Sequence, residues 1–500
     1  YYLNSESTIV QYTSHVAKML ALGTNSSAAL LEEAETVVQF ETKLALISQP
    51  NQTGDFLKTS KAFNKIADVS SLERNYPLDW PGYTARIGLH AQKPINVVHP
   101  YFFGNLSTLL RNSSRPWTDV QWYLKWHLIH TMAPHLSQPF VQENFAFYNI
   151  VLQGQKQQIS RSEQCLNTIN SNLLGLVLGK LFVKDRFSPA RKTDATEFFN
   201  DISTAFVENL ASRSWLDNST ATTAGEKARI MVHQLGYPDD PSGYPDIENL
   251  QLSPDKYFEA VMAVARSGFS RRVRHAGKPF NPNEWDFVSG FDFLSAQTVT
   301  AFNAESPNIM IVPAGIIQMP LYNQSFPLPM RYGGLAMIVG HEFTHGFDNV
   351  GRHFDGRGAL KNWWSNATAQ AFKTRAQCMV EQYSQYQVQP GLFLDGAFTL
   401  QENVADNGGF RLAYEVYRQK IDGQGSKSSI VPGLTNDQLF FTQFGQTWCF
   451  NMTKEYERLW VKTNQHSTPE FRVRGVLSNF PEFAEAFGCK SGALYNPEKK

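Results

Sequence analysis

Apolar residues recur at helical spacing through much of the first half of the chain. The segment 30–47 has neither Gly nor Pro, and Leu30, Ala34 and Val37 fall on one face, which predicts an amphipathic helix. The same pattern predicts three further helices, over 118–132, 170–183 and 195–210. We expect the apolar faces of these helices to form a core rather than to bind a ligand.

The second half of the chain begins with a different pattern. Residues 308–312 are apolar after the first, Asn308, and are followed by Pro313, which predicts a buried strand. Two later segments, 332–347 and 400–420, predict a buried helix and a further helix. Because 500 residues exceed the usual size of a single core, we expect two lobes. Turn-rich segments at 236–243 and 277–283 favour a boundary near residue 250, so that the lobes are 1–250 and 251–500.

Composition narrows the function classes. Charged residues make up only 18% of the chain and apolar residues 42%, which excludes a disordered protein. Lys and Arg number 45, as do Asp and Glu, so the net charge offers no attraction to nucleic acid or to an anionic membrane. We expect the basic run 271–275 to be a solvated helix end or loop. No apolar stretch reaches the length of a membrane span, and residues 1–4 do not resemble a signal peptide.

Glycosylation motifs favour a secretory route. Eight Asn-X-Ser/Thr sequons are present, about twice the roughly four that chance predicts. Their asparagines are Asn25, Asn51, Asn105, Asn112, Asn218, Asn323, Asn366 and Asn451. The four cysteines are Cys165, Cys378, Cys449 and Cys489. Their spacings exclude a C-x-x-C site, and two internal disulfides are one interpretation of their even number.

The predicted helix 332–347 contains a metal-binding pattern. His341 and His345 are four residues apart and therefore share a helix face, so that both imidazoles can reach one ion. Glu342 lies about 100° round the helix and can reach a water on that ion. Zinc prefers imidazole nitrogen and carboxylate oxygen. The pattern arises by chance in roughly 1–2% of chains this long, so two core histidines remain the alternative interpretation.

A catalytic zinc site needs a third protein ligand. Glu402 and Asp406 lie four residues apart, so Glu402 can bind the ion while Asp406 accepts the free N–H of a zinc histidine. Asp348 can orient the other histidine in the same way. A carboxylate pair on a helix is usually a solvated face, but Gly408 and Gly409 indicate close helix packing here.

These motifs resemble one known family. The run 340–348 resembles the zinc helix of the neprilysin and endothelin-converting-enzyme family, and 402–409 resembles that family's third-ligand motif. Similarity continues through 312–316, 362–364 and 496–500, and more weakly back to Tyr1. The resemblance implies a mainly α, two-lobed zinc peptidase. Its thermolysin-like catalytic lobe, with a small β element and zinc helices, is capped by a helical lobe over an internal cavity.

The resemblance also implies roles for individual residues in cleaving short peptides on the amino side of hydrophobic residues. His341, His345 and Glu402 match the ligands of one Zn²⁺ ion, and Glu342 matches the general base. Asp348 and Asp406 match the carboxylates that orient the histidines. We also count Asp406 among the predicted catalytic residues, with Glu342 and His466. His466 would stabilise the oxyanion and Arg472 would bind a substrate carbonyl. The pocket for the residue after the cut would be walled by Ile316, Leu321, Met337, Ile338 and Trp448.

The chain departs from the family pattern in three places. An Asn-Ala-aromatic-Tyr edge that grips the substrate backbone is replaced by Thr300, Ala301, Phe302 and Asn303. The family continues four residues beyond Lys500, to a Cys and a Trp, and carries upstream a cysteine-containing segment with a membrane anchor or signal. The resemblance implies that the four cysteines pair with partners in those segments and are unpaired here. It also implies an extracellular location, either secreted or as the ectodomain of a single-pass membrane protein.

Two alternative functions follow from the sequence. An aminopeptidase of the same zinc class would need a Gly-x-Met-Glu-Asn motif, and this chain has none. A catalytically weak peptide-binding ectodomain is favoured by Thr300 and by the segments that the chain lacks. In either case we expect short peptides as partners, no nucleic acid, and a membrane only through an anchor outside this chain.

Overall fold

The computed structural model describes residues 6–48, 65–89, 94–97, 99–112, 116–238, 247, 249–279, 281, 285, 294–421 and 429–498. Helices dominate these residues. In chain order they are α1 Glu6–Thr24, α2 Leu31–Ile47, α3 Val69–Asn75, α4 Trp80–Arg86, α5 Pro100–Asn112, α6 Pro116–Met132, α7 Gln138–Phe145, α8 Arg161–Asn170, α9 Gly175–Arg186, α10 Pro189–Leu210, α11 Asn218–Arg229, α12 Tyr257–His275, α13 Leu328–Arg331, α14 Met337–His345, α15 Asn366–Ser384, α16 Leu400–Ile421, α17 Asn436–Thr447, α18 Lys454–Thr463, α19 Pro469–Ser478 and α20 Pro481–Phe487. Short 3₁₀ turns lie at Ala133–His135 and Gly351–His353, and π-helical turns at Ala146–Val151 and Tyr332–Ala336.

The strands are few and short. They are β1 Lys65–Ala67, β2 Ile95–Val97, β3 Val232–Gly236, β4 Phe302–Ala304, β5 Ile309–Pro313, β6 Gln387–Gln389 and β7 Leu392–Phe393. The largest sheet has the order β3-β5-β4, with β3 parallel and β4 antiparallel to the central β5. Every residue of β5 is buried, as expected for a central strand of continuous apolar character.

The predicted elements of the sequence are present. Helices α2, α6, α10 and α16 and strand β5 correspond to five predicted segments, with ends that move by at most a few residues except at α10, which begins at Pro189. The predicted helix 170–183 instead begins at Gly175, because α8 ends at Asn170 and a turn intervenes. On α6, Trp126 is fully buried, whereas Leu124 and Leu128 are exposed, so the core prediction holds for only part of that helix. The basic run 271–275 forms the last turns of α12.

The chain divides into two compact units. The first comprises Tyr1–Ser160, Asn249–Lys278 and Thr453–Tyr456, and the second comprises Arg161–Glu248, Pro279–Met452 and Glu457–Lys500. The chain therefore changes unit at residue 160 as well as at 248 and 278, so the segment 161–248 belongs with the second unit. One reason is that β3, which precedes residue 250, pairs with β5, which follows it. Local turn composition does not reveal this long-range pairing.

Each unit has its own core. In the first unit, α1, α2 and α6 contribute Val16, Leu20, Val37 and Trp126. In the second, aromatic side chains from α14, α16 and α17 pack together, among them Phe343, Phe410, Phe440 and Phe444. The mainly helical architecture predicted from the sequence is confirmed.

All four cysteines, Cys165, Cys378, Cys449 and Cys489, are free thiols. The interpretation of two internal disulfides is therefore wrong. Among the described helices, none alone is long and apolar enough to cross a membrane. The pair α8 and α9, bent by 104° at the turn between them, passes the same test by length and composition only.

Candidate metal centre

The metal-binding pattern lies on α14, and all nine residues of this helix are buried. Helix α14 packs against α16 at unusually short range, because Gly340 faces Gly409. A Cβ atom at position 409 would lie 2.2 Å from the backbone nitrogen of His341, and one at position 340 would lie 2.7 Å from the carbonyl oxygen of Gly409. The absence of both side chains allows the two backbones to touch, and this contact brings Glu402 to the histidines.

The three predicted ligands converge on one point. His341 Nε2 and His345 Nε2 are 3.0 Å apart. Glu402 Oε2 lies 3.3 Å from His341 Nε2 and 3.5 Å from His345 Nε2. All three residues are buried. Among the residues that the structure describes, this is the group of His, Cys, Asp or Glu side chains able to hold a metal ion.

These distances fit a zinc ion. Metal–ligand bonds of about 2.0–2.1 Å in a tetrahedron place neighbouring ligand atoms about 3.3–3.4 Å apart, and the three measured separations of 3.0, 3.3 and 3.5 Å bracket that value. Glu402 Oε2 is also buried, and it forms no hydrogen bond although the Nε2 atoms of three histidines lie 3.3, 3.5 and 3.0 Å away, an arrangement that a bound metal would satisfy. The residues present therefore fit one Zn²⁺ ion.

A carboxylate oxygen lies close to Nδ1 of each histidine. His345 Nδ1 is 2.7 Å from Asp348 Oδ2, and His341 Nδ1 is 2.8 Å from Asp406 Oδ1. Asp348 is itself held by the backbone N–H groups of Val350 and Gly351, which donate to Oδ1 at 2.7 and 2.8 Å. These contacts at Nδ1 leave Nε2 of each ring facing the ligand point.

The electrostatics of the centre follow from burial and from these pairs. Burial opposes the charge on His345, but Glu402 and Asp348 raise its pKa well above the usual value. Burial also opposes the charge on Glu402, but His345 and His466 hold its pKa well below the usual value. For Asp406, burial acts against ionisation, yet Arg472 and His341 lower the pKa to about 2. The carboxylates are therefore negatively charged near neutral pH, as metal ligands and their partners must be.

The predicted base, Glu342, adjoins the ligand group. Its side chain is buried, and burial raises the pKa of its carboxyl group while His341 and His345 lower it. Strand β4 lies alongside this residue, since Asn303 Nδ2 donates to the carbonyl oxygen of Glu342 at 2.8 Å. The strand edge singled out in the sequence is thus next to α14.

His466 and Arg472 reach the same centre from the segment around α19. His466 Nε2 is 3.0 Å from Glu402 Oε2, and its Nδ1 is 2.9 Å from Asn464 Oδ1. Arg472 is buried and donates from two nitrogens to Asp406 at 2.7 and 2.6 Å, with its guanidinium 3.8 Å from the centre of the Trp448 ring. Its contact is therefore with an orienting carboxylate, and its predicted role toward substrate stays a prediction.

Most of the remaining residues predicted to bind substrate belong to, or pack against, the main apolar core of the second unit. Ile316, Met337 and Ile338 belong to the main apolar cluster of the second unit, and Ala301, Leu321 and Trp448 pack against it half-buried. Met337 has no exposed surface. Thr300 is half-buried, and its hydroxyl donates to the carbonyl of Ala301 at 3.3 Å.

The sequons differ in exposure. The asparagines are exposed at Asn25, Asn112, Asn218, Asn366 and Asn451, half-buried at Asn105 and Asn323, and outside the described residues at Asn51. Two of the required threonines, Thr220 and Thr368, are buried and donate to Asp217 Oδ2 at 2.8 and 2.6 Å. Those two hydroxyl groups therefore have a structural role, independent of any glycan.

Several contacts at the centre were not predicted from the sequence. Asn303 was assigned to the substrate edge, but its side chain binds the backbone carbonyl of Glu342, and Asn464 contacts His466. Asn403 is buried beside Glu402 and accepts a hydrogen bond from Ser467 at 2.8 Å. Lys227 reaches the loop after α14 from a helix more than a hundred residues earlier. The residues 402–409 drew attention to Asn403, but nothing in the local sequence around Lys227 marks it.

Fold and site together define a metal-dependent protein with a His, His, Glu centre on two packed helices. Two models of peptidase family M13 match residues 1–238 and 300–500. The chain belongs to peptidase family M13.

Individual relatives agree with this assignment. Human (Homo sapiens) endothelin-converting enzyme 1 is 33% identical over 100% of this chain, and the endothelin-converting enzyme homolog of Locusta migratoria is 30% identical over 100%. The chain spans 65% and 69% of the lengths of these two proteins. Among solved structures, the zinc metalloprotease ZMP1 of Mycobacterium tuberculosis, in complex with an inhibitor, superposes with a TM-score of 0.88 at 26% identity, over 98% of this chain and 73% of that one.

Proposed function

We propose that this chain carries a zinc-dependent endopeptidase activity that hydrolyses short peptides on the amino side of hydrophobic residues. One observation carries the proposal. His341 and His345 on α14 converge with Glu402 of α16, and the buried Glu342 lies on α14 beside the two histidines. A bound Zn²⁺ would supply a Lewis acid that polarises a carbonyl group and acidifies water. The names of the human and mycobacterial relatives, a converting enzyme and a zinc metalloprotease, support this class of reaction.

The residues of the chain divide the work of hydrolysis. Glu342 takes the proton of the attacking water and passes it to the leaving amine, as a general base and then a general acid. His466, held by Asn464, donates a hydrogen bond to the oxyanion that develops at the scissile carbonyl. Asp348 and Asp406 keep the two imidazoles in the tautomer that presents Nε2 to the metal.

Substrate would bind along the edge of the small sheet. Strand β4 is an edge strand of the β3-β5-β4 sheet, and Thr300 and Ala301 immediately precede it. An extended peptide can add to such an edge through main-chain hydrogen bonds. The apolar side chains of Ile316, Leu321, Ile338 and Trp448 favour a hydrophobic residue after the cut.

Glu342→Gln tests the mechanism. The amide keeps the shape of the side chain and cannot act as a base, so we expect zinc to stay bound and turnover to fall about a thousandfold. Zinc content by mass spectrometry and cleavage of a quenched peptide with an internal Phe or Leu measure the two quantities. Exposed Glu381→Gln is the matched control and should leave both unchanged.

The outcomes separate the alternatives. Near-normal turnover in Glu342→Gln would show that Glu342 is not the base. A wild-type protein that binds zinc and the peptide without cleaving it would instead support the peptide-binding ectodomain. An enzyme that removes only the first residue of a peptide would support the aminopeptidase.

We further propose that the chain is extracellular and glycosylated. Five sequon asparagines are exposed, which is the accessibility that an attached glycan needs. Expressed through a secretory pathway, the protein should lose mass on treatment with an amidase that removes N-glycans. Changing the five asparagines Asn25, Asn112, Asn218, Asn366 and Asn451 to Gln should abolish most of that loss, and an unchanged mass in the wild-type protein would contradict the proposal.

A further inference from the structure

Lys227 is a buried lysine with an uncommon set of partners. It lies on α11 and is only 1% exposed. Its ammonium group donates to the backbone carbonyl oxygens of Gly346 at 2.6 Å, Gly351 at 2.8 Å and Phe354 at 2.7 Å. An ammonium group has three donors, so all three are used on main-chain acceptors.

These carbonyls belong to the loop that follows α14. Gly346 comes directly after the ligand His345, and the last carbonyls of a helix have no partner within the helix. Gly351 and Phe354 lie at the 3₁₀ turn that ends the loop. Lys227 therefore joins the end of the metal-binding helix to the far side of the loop.

Asp348 holds the same loop from within. Its Oδ1 accepts the N–H groups of Val350 and Gly351, and its Oδ2 bonds to His345 Nδ1. Gly351 is thus shared, since its N–H is bound by Asp348 and its carbonyl by Lys227. The position of the Asp348 carboxylate depends on a backbone that Lys227 restrains.

Simple packing does not explain a charge at this position. The rings of Phe347 and Trp363 lie 5.4 and 6.0 Å from the ammonium group, so an apolar side chain would suit the surroundings. Burial lowers the pKa of Lys227 to about 8, although the charges of Asp348 and Glu305 act in the opposite direction. No carboxylate in the described part of the chain forms a direct ion pair with it. What the ammonium group adds at this position is its three hydrogen bonds to backbone carbonyl oxygens.

We propose that Lys227 is a positioning residue for the metal centre, which acts by fixing the loop 346–354 and, through Asp348, the imidazole of His345. This inference rests on the proposed role of His345 as a zinc ligand. Partners of metal ligands typically change metal affinity 10–100-fold when removed, and Lys227 is one contact further away. We therefore expect Lys227→Met to weaken zinc binding about tenfold.

A double-mutant cycle on zinc affinity tests the route of the effect. The zinc dissociation constant is measured by chelator competition for the wild type, Lys227→Met, Asp348→Ala and the double variant. If Lys227 acts through Asp348, the tenfold loss in the wild-type background falls below about twofold in the Asp348→Ala background. Equal losses in both backgrounds, or no loss in the wild-type background, would overturn the proposal.

Controls separate positioning from general damage. Lys192→Met is the matched control, because Lys192 also donates to a backbone carbonyl, that of Tyr237 at 2.9 Å, and should leave zinc affinity unchanged. If Lys227→Met does not fold, Lys227→Arg takes its place in the cycle, since the guanidinium keeps the charge but spreads its donors. Failure of the wild type to bind zinc would refute the proposed function, whereas tight zinc binding that ignores Lys227 would refute this inference alone.

Discussion

The two units of the molecule each place histidines beside glutamates, but the groups are built differently. In the second unit, His341, His345 and Glu402 aim three ligand atoms at one point. In the first unit, His15 Nδ1 is 3.1 Å from Glu143 Oε1, and His127 Nε2 is 3.0 Å from Glu41 Oε1. Among the described residues of the first unit, no three such side chains come together closely enough to hold a metal.

Burial and residue type alone do not decide whether a group of histidines and glutamates can hold a metal ion. His15 Nε2, His130 Nδ1 and Glu41 Oε2 are buried without hydrogen-bond partners, just as Glu402 Oε2 is. The side chains of the first unit come from several helices and pair two by two. Those of the second unit are fixed by four-residue spacing on one helix and by a glycine contact that brings a third ligand to them. A metal centre therefore requires that three ligand atoms meet at one point, and the presence of histidines and glutamates is not sufficient.

The largest expected effect is on zinc content, when one metal ligand of the second unit is removed. Glu402→Ala takes away one of three protein ligands, so we expect zinc to fall from about one ion per chain to nearly none after dialysis. Glu143→Ala removes a half-buried glutamate from the first unit and should leave the zinc content unchanged. Metal analysis of both variants decides the matter, and full occupancy in Glu402→Ala would place the third ligand elsewhere.

A smaller effect should appear in the first unit when the pH falls. Burial lowers the pKa of His15, against the pull of Glu143, and burial together with His127 lowers that of His130. Both histidines are then more readily protonated in the unfolded chain, whose usual value is 6.5. The stability they contribute is present above pH 6.5 and is lost as the pH falls through the lowered folded values.

Hydrogen exchange can locate this loss. Between pH 7.5 and 5.5, after correction for intrinsic rates, amides of α1 and α6 should exchange severalfold faster, while those of α14 should not. His15→Gln should reduce the dependence, and His99→Gln, at an exposed histidine of the same unit, should not. An identical response in α1 and α14 would show that the pH acts on the whole molecule.

The smallest expected effect concerns the strand edge beside α14. Thr300 has one short hydroxyl where an Asn could both accept from and donate to an extended peptide. One additional hydrogen bond contributes about 0.5–1.5 kcal/mol, so Thr300→Asn should raise kcat/KM roughly two- to twelvefold. Val299→Asn, at a neighbouring residue that is 73% exposed, is the control. Unchanged or lower activity would show that Thr300 does not contact the substrate.

Much of the metal centre could be predicted from the sequence, because its chemistry is encoded at short range. The spacing of His341 and His345, and that of Glu402 and Asp406, follows from helix geometry alone. The contacts that cross long stretches of chain could not be predicted. Examples are the pairing of β3 with β5, the bond from Lys227 to Gly346, and the bidentate pair of Arg472 with Asp406. Each depends on tertiary packing that local pattern does not record.

The contact between Gly340 and Gly409 has a consequence for any survey that substitutes every position in turn. Neither glycine has a side chain that could bind metal or transfer a proton, yet a methyl group at 409 would collide with the backbone of α14. Such a survey should therefore score both positions as intolerant as the ligands themselves. A map of lost activity would then mark inert residues together with reactive ones, and only a separate count of bound zinc and of folded protein would tell the two kinds apart.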